Sequence, residues 1–223
     1  MEYNIKIPEY TEFEKKLQNE RDFFAYMQLL EKAKKDYLII VTVSDTPAGP
    51  LFTPNHSTVM MNALGLKINM VQAYRQPYVA IIDHGNVVFE KTSKDVTKSI
   101  TINANFNTHT LNIYSGGFDC IDIYNFESFV KFDESYYYGC RGFNFFIINP
   151  QRQYMVDFYH YETYEIQNID GITHKPFLCE EKIASIIENN SWGGGGIKSL
   201  YFVYYCITLY FLVFKIVRTK SIL

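Results

Sequence analysis

The chain has 223 residues, 48% of them hydrophobic and 20% charged. That supplies enough apolar side chain for a packed core and argues against an intrinsically disordered protein. A formal charge of −3 leaves no broad basic field, so sequence-independent nucleic-acid binding is not expected. Residues 11–34 read as one amphipathic helix, with Phe13, Leu17, Phe24, Met27 and Leu30 on one face and Glu20 and Arg21 interrupting it. Thr11 is its N-cap and Glu14, three residues on, completes a capping box. Tyr37 to Val43 is apolar on both faces and β-branched, which predicts a buried strand. Ser44 to Pro50 is a loop by its Pro and Gly content, and Ser57 to Leu64 a second helix closed by Gly65.

Strands dominate from there. Tyr78–Ile82 and Val87–Glu90 flank Asp83-His84-Gly85-Asn86 as a hairpin. The Thr-, Asn- and Lys-rich stretch 92–108 reads as a connection with one short strand near Ile100. Strands follow over 110–115, 126–132, 142–148 and 154–159, with Asn149-Pro150-Gln151-Arg152 as the clearest turn. Tyr136-Tyr137-Tyr138 fits a strand edge. The 19 Tyr and 18 Phe residues against one Trp suit that reading, because both types favour sheet. The expected class is α+β, mainly β.

A last helix is expected over 173–190, and Trp192 to Gly196 reads as a linker. Its four glycines lack the strand–loop–helix frame and the Lys of a phosphate-binding loop. Leu200 to Val217 holds 18 residues, one charge (Lys215) and eleven Leu, Ile, Phe or Val. As a helix it would reach ~27 Å, just enough for a bilayer. Lys215 would snorkel near its end. Four Tyr residues fit a buried core strand equally well, so membrane contact through 200–217 and a core strand both stay open. An abrupt change of composition after Gly196 leaves a third option, that the tail is not native to the fold.

Cys120, Cys140, Cys179 and Cys206 form no CxxC pair and no zinc spacing. Free thiols of a reducing compartment are the favoured reading, because the N-terminus is too polar for a signal peptide; a Cys120–Cys140 bridge is the oxidising alternative. The expected location is cytoplasmic, or membrane-anchored through the tail. His56, His84, His109, His160 and His174 have no metal spacing, so no metal and no cofactor are expected.

Four short segments carry a family resemblance. They are Ile39-Ile40-Val41-Thr42-Val43-Ser44-Asp45, Tyr74-Arg75-Gln76-Pro77-Tyr78 running on to Asp83, Ser115-Gly116-Gly117-Phe118-Asp119, and Arg141-Gly142-Phe143-Asn144 running on to Asn149. Together, over about residues 37–164, they resemble the interleukin-like EMT inducer (ILEI/PANDER) domain. That domain occurs in secreted cytokine-like proteins, in the stem of the protein O-mannose N-acetylglucosaminyltransferase, and attached to bacterial sugar-transfer proteins. In eukaryotic members the Arg-Gly strand precedes the Val-x-Asp strand. Here Asp45 precedes Arg141, so the halves are swapped. Either the domain is circularly permuted, or the end of one repeat is joined to the start of another. A single permuted domain is favoured, because half a domain would leave a sheet edge and an apolar face uncovered. The chain then divides into an ILEI/PANDER-like domain over 1–172, a helix and glycine linker over 173–196, and an apolar tail over 197–223.

The resemblance implies a non-catalytic, sandwich-like fold of antiparallel or mixed sheets with two or three packed helices. In the transferase stem it binds a terminal β-linked N-acetylglucosamine. The matching positions are Asp45, Arg75 and Arg141. Two departures stand out: the family's Trp-Arg-Asp-x-Trp is Tyr74-Arg75-Gln76-Pro77-Tyr78, and the acidic residue after the loop Asp is Thr46. Chemically, a carboxylate accepts from two sugar hydroxyls and an Arg fork donates two parallel bonds. Tyr78 would cover the apolar face of the pyranose. The competing bland reading is a surface ion pair of Asp45 with Arg75 or Arg141 that only holds the loop. The expectation is a lectin-like module for a GlcNAc-type sugar or a glycoprotein, accessory to glycan synthesis and without enzyme activity. A membrane-tethered protein-interaction or cytokine-like signalling module is the alternative.

Overall fold

The computed structural model describes residues 9–106, 109–120 and 128–163, and the backbone of 167–169 and 172–174. All of them belong to one compact unit, Lys6–Lys182. The expected 11–34 helix is two helices, α1 (Glu12–Asn19) and α2 (Phe23–Ala33). Asp22 breaks the run by capping the Ala25 amide at 2.9 Å, so the polar Glu20-Arg21-Asp22 interruption is a corner. The Thr11–Glu14 capping box forms as expected. Glu14 is also buried and accepts from the hydroxyl of Tyr154 at 3.0 Å, which pins α1 to the sheet. Helix α3 (Pro54–Leu64) starts three residues earlier than expected, because Thr53 caps it and Pro54 occupies its first turn. Gly65, at φ 79°, closes it.

Strand β1 (Leu38–Ser44) is the centre of a five-stranded antiparallel sheet. Its neighbours are β2 (Tyr78–Asp83) and, beyond, β3 (Asn86–Thr92) on one side, and β8 (Gly142–Asn149) and β9 (Tyr154–Tyr161) on the other. A second sheet holds β4 (Ser99–Phe106), β5 (His109–Gly116), β6 (Ser128–Phe132) and β7 (Ser135–Tyr138) in that order, all antiparallel. The connection expected over 92–108 thus contains a full eight-residue strand, whose alternation of Ile100 and Ile102 with Thr101 and Asn103 is the period of a half-buried strand. The tyrosine run is the edge strand β7.

Three layers result. Ile39, Val41, Val43, Tyr78, Ala80, Ile82, Phe143, Phe145 and Ile147 face the helices, against Leu17, Tyr26, Met27, Leu30, Met60 and Leu64. On the opposite face Leu38, Ile40, Val79, Ile81, Phe146 and Ile148 meet Ile100, Leu111, Ile113, Val130 and Phe132 of the second sheet. Every residue of β1 is buried, which explains its unbroken apolar run; each Leu or Ile side chain so buried stabilises by about 1.5–3 kcal/mol. This is an α+β, mainly β architecture with sheet packed on sheet.

Two short strands follow, β10 (Gln167–Ile169) and β11 (Ile172–His174), paired antiparallel. The helix expected from Thr173 therefore does not begin there, and a boundary after residue 172 would cut a strand. The remainder of that helix, the glycine linker and the apolar tail lie outside the described residues. Among the described residues no helix is long and apolar enough to cross a membrane.

Candidate functional site

Antiparallel pairing puts several strand ends at one edge of the sandwich. Ser44, the last residue of β1, lies opposite Gly142, the first of β8, and Phe143 lies opposite Tyr161, the last of β9. Asp45, Arg141 and Glu162 are therefore neighbours in space though far apart in sequence. The start of β2 joins them through β5: the Ser115 hydroxyl donates to the Val43 carbonyl (2.8 Å) and accepts from the Tyr78 amide (3.1 Å). The Phe118 amide then donates to the Arg75 carbonyl at 3.2 Å.

Local chemistry explains how each side chain is presented. Asp45 sits at φ 61° inside a tight turn closed by the Thr46 amide on the Ser44 carbonyl (2.8 Å). Arg75 sits at φ 59°. Left-handed backbone costs a non-glycine residue roughly 1–2 kcal/mol, so both positions are held by their surroundings. Thr46 is the holder. Its buried hydroxyl accepts from the Arg75 amide (3.1 Å) and donates to the Ala48 carbonyl (3.0 Å), while its own carbonyl accepts from the Thr163 hydroxyl (2.7 Å). The departure from an acidic residue at Thr46 thus falls on a buried keystone, not on a ligand-facing position.

Arg141 is displayed by a comparable device. The buried Asn144 carboxamide accepts from the Cys140 amide (2.7 Å) and donates to the Cys140 and Gly142 carbonyls (2.7 and 3.2 Å). Gly142 adopts φ 95°, and a Cβ there would lie 2.2 Å from the Tyr161 carbonyl oxygen. The Arg-Gly-Phe-Asn segment is therefore the entry to β8, where the glycine and the asparagine shape the backbone that carries Arg141. The His160 ring donates through Nε2 to the Arg141 carbonyl. Arg141 Nε donates to both Glu162 carboxylate oxygens at 3.1 Å, and Glu162 is only 7% exposed.

Arg75 is held differently. Its guanidinium carbon lies 3.8 Å from the centroid of Phe118 and 5.1 Å from that of Tyr74, and its Nε has no hydrogen-bond partner among the described residues. Phe118 and Tyr74 are 43% and 49% exposed, so two aromatic surfaces open to solvent beside an unspent guanidinium. Half-buried Asp45 is pushed above the usual carboxylate range by burial. Arg141 and then Arg75 oppose that shift, and Glu162 adds to it. The surroundings place both arginines within electrostatic reach of Asp45, yet the Asp45 carboxylate forms no ion pair or hydrogen bond among the described residues.

Three of the four expected site residues, Asp45, Arg75 and Arg141, are thus brought to one edge. Tyr78 is not. Its ring is fully buried in the helix-facing core, and its hydroxyl donates to Glu90 at 2.9 Å, so it cannot cover a sugar. The exposed rings are Tyr74 and Phe118. Both stood inside the quoted motifs, one beside the arginine and one after the two glycines. Glu162 had no sequence signal.

The cysteines depart from expectation as well. Cys140 is disulfide-bonded and Cys120 keeps its thiol, 3.7 Å from the Tyr114 hydroxyl, so a Cys120–Cys140 bridge does not form. The disulfide at Cys140 runs against the expectation of free thiols. Among the described residues no group of three His, Cys, Asp or Glu is placed to hold a metal ion. No protein-family model, curated protein or solved structure matches the chain.

Proposed function

We propose that the protein is a non-catalytic, lectin-like carbohydrate-binding module whose edge site takes a GlcNAc-type sugar, as an accessory to glycan synthesis. One observation carries the reading. Asp45 and Arg75 are both held in left-handed backbone at a solvent-facing edge, and among the described residues neither side chain is spent on a structural hydrogen bond. Strain maintained around unspent charged groups is a mark of ligand sites. The likeness of the Asp45, Arg75 and Arg141 segments to the ILEI/PANDER domain supports the same choice of ligand.

The chemistry is hydrogen bonding and stacking. Asp45 accepts from two hydroxyls. The Arg75 fork donates to a ring oxygen, a hydroxyl or the acetamido carbonyl. Phe118 or Tyr74 covers the apolar face of the pyranose. Two arginines balance two carboxylates, which suits a neutral sugar. Glycoside hydrolysis wants a carboxylic acid free to give up a proton. Glu162 has both oxygens engaged by Arg141, so the second carboxylate is a brace.

Charge-assisted bonds in a shallow site give about −4 to −6 kcal/mol, a Kd from millimolar to tens of micromolar. Nuclear magnetic resonance titration of the full chain with methyl β-N-acetylglucosaminide tests this. Saturable shifts around Asp45, Arg75 and Phe118, lost in Arg75→Ala, are expected. No saturable binding, or binding that Arg75→Ala leaves intact, overturns the assignment.

A further inference from the structure

The outward face of the four-stranded sheet carries a second polar surface. Gly116 ends β5 at the edge site, whereas Thr110 and Asn112 lie in the first half of that strand. Asn103 pairs with Asn112, Asn112 with Lys131, and Lys131 with Tyr136, which places the four on one line across all four strands. At a strand spacing of about 4.8 Å the line spans ~14 Å. Beside it Asn105 pairs with Thr110. An open depression of about 500 Å³ is lined by Asn103, Ala104, Asn105, Thr110, Asn112 and Lys131.

Asparagine is disfavoured in strands, yet three stand together here. None of the three carboxamides is taken up by a partner among the described residues. The single cation is already balanced: Lys131 Nζ lies 3.6 Å from Glu134 and 5.1 Å from the Tyr136 ring. Tyr136 is 39% exposed and its ring runs nearly parallel to Tyr138, at 13° and 6.0 Å. The end of the line therefore offers a flat aromatic surface.

We propose that this face is a second binding site, for a neutral linear oligosaccharide laid across the strands. Carboxamides both donate and accept, which matches hydroxyl groups that do the same. The Tyr136 ring covers the apolar face of one pyranose. Charge decides between occupants. A phosphate-bearing chain would meet one lysine already offset by Glu134, and a protein partner would need an apolar, charge-poor centre that this row of amides does not supply.

Calorimetric titration of the full chain with cellohexaose, laminarihexaose and maltohexaose tests the site, with Arg75→Ala run in parallel to silence the edge site. At least one hexasaccharide should bind Arg75→Ala as it binds the parent. Asn112→Ala and Tyr136→Ala should each lose about tenfold in affinity, the worth of one good contact. Neither side chain belongs to the core, so both variants should melt with the parent. The proposal is overturned if no hexasaccharide binds, if Arg75→Ala alone removes binding, if Asn112→Ala and Tyr136→Ala bind like the parent, or if oligothymidylate binds more tightly than any glycan. Loss of N-acetylglucosaminide binding at the edge site would leave this second site standing, so the two readings fail separately.

Discussion

The Phe118 ring lies against the Arg75 guanidinium, 3.8 Å from centroid to carbon, while the Phe118 amide donates to the Arg75 carbonyl at 3.2 Å. One residue thus fixes both ends of the arginine. The backbone bond sets the loop, and the ring replaces the hydrogen-bonding partner that Nε lacks. A guanidinium held by stacking keeps its outward N–H groups available.

Phe118→Ala should free that guanidinium. A cation–π contact contributes about 0.5–2 kcal/mol, so affinity for the N-acetylglucosaminide should fall about 2- to 30-fold. Phe118 is 43% exposed and lies outside both apolar cores, so the melting temperature should move little. Unchanged affinity in the titration would mean that Arg75 needs no ring behind it.

Binding through Asp45 requires its ionised form. Burial raises its pKa, so affinity should fall on acidification at a pH above that of an ordinary aspartate, whose midpoint is near 3.9, with about tenfold lost per unit once below it. Asp45→Asn tolerates the left-handed backbone and removes the charge. It should bind weakly at every pH. Dissociation constants for both proteins across a pH series check this, and a parallel pH dependence in the variant would assign the titration to another group.

Gly142→Ala places a methyl group 2.2 Å from the Tyr161 carbonyl at a φ of 95°. Clash and strain together should cost at least about 2–3 kcal/mol. Urea unfolding should show a lowered midpoint, and the displaced Arg141 should weaken binding in the fraction that still folds.

Asp157 gives a pH-dependent stability of defined sign. Its carboxyl lies largely out of solvent between β9 and α2, accepts from the Tyr26 hydroxyl at 2.6 Å, and has its pKa raised by burial to about 6. Between about pH 4 and 6 the folded state holds a proton that the unfolded state has released. Stability from this group is therefore fully present at the acid end and lost as pH rises through the folded pKa, by about 3 kcal/mol. Asp157→Asn should flatten that part of the stability profile, measured by chemical unfolding at several pH values; a slope that persists in the variant counts against Asp157 as its source.

Some of this was written locally in the chain. The unbroken apolar run of β1 marked a strand with no exposed face, the Thr11–Glu14 box marked the start of α1, and Asp83-His84-Gly85-Asn86 marked a two-residue hairpin. Such signals need only neighbours a few residues away. The split between α1 and α2 was visible only as the polar interruption at Glu20 and Arg21, and a corner and an imperfect stripe look alike until Asp22 is seen to cap.

Tyr78 and Glu162 show what local signals cannot carry. The sequence by itself determined that Arg75, Asp45 and Arg141 border strands, and that Tyr78 begins one. Only the packing of three layers decided that the pleat turns Tyr78 inward with Ala80 and Ile82, because a strand covered on both faces has no outside to read from its pattern. Only the pairing of β8 with β9 brought Glu162 to Arg141, a contact across 21 residues that no motif announces.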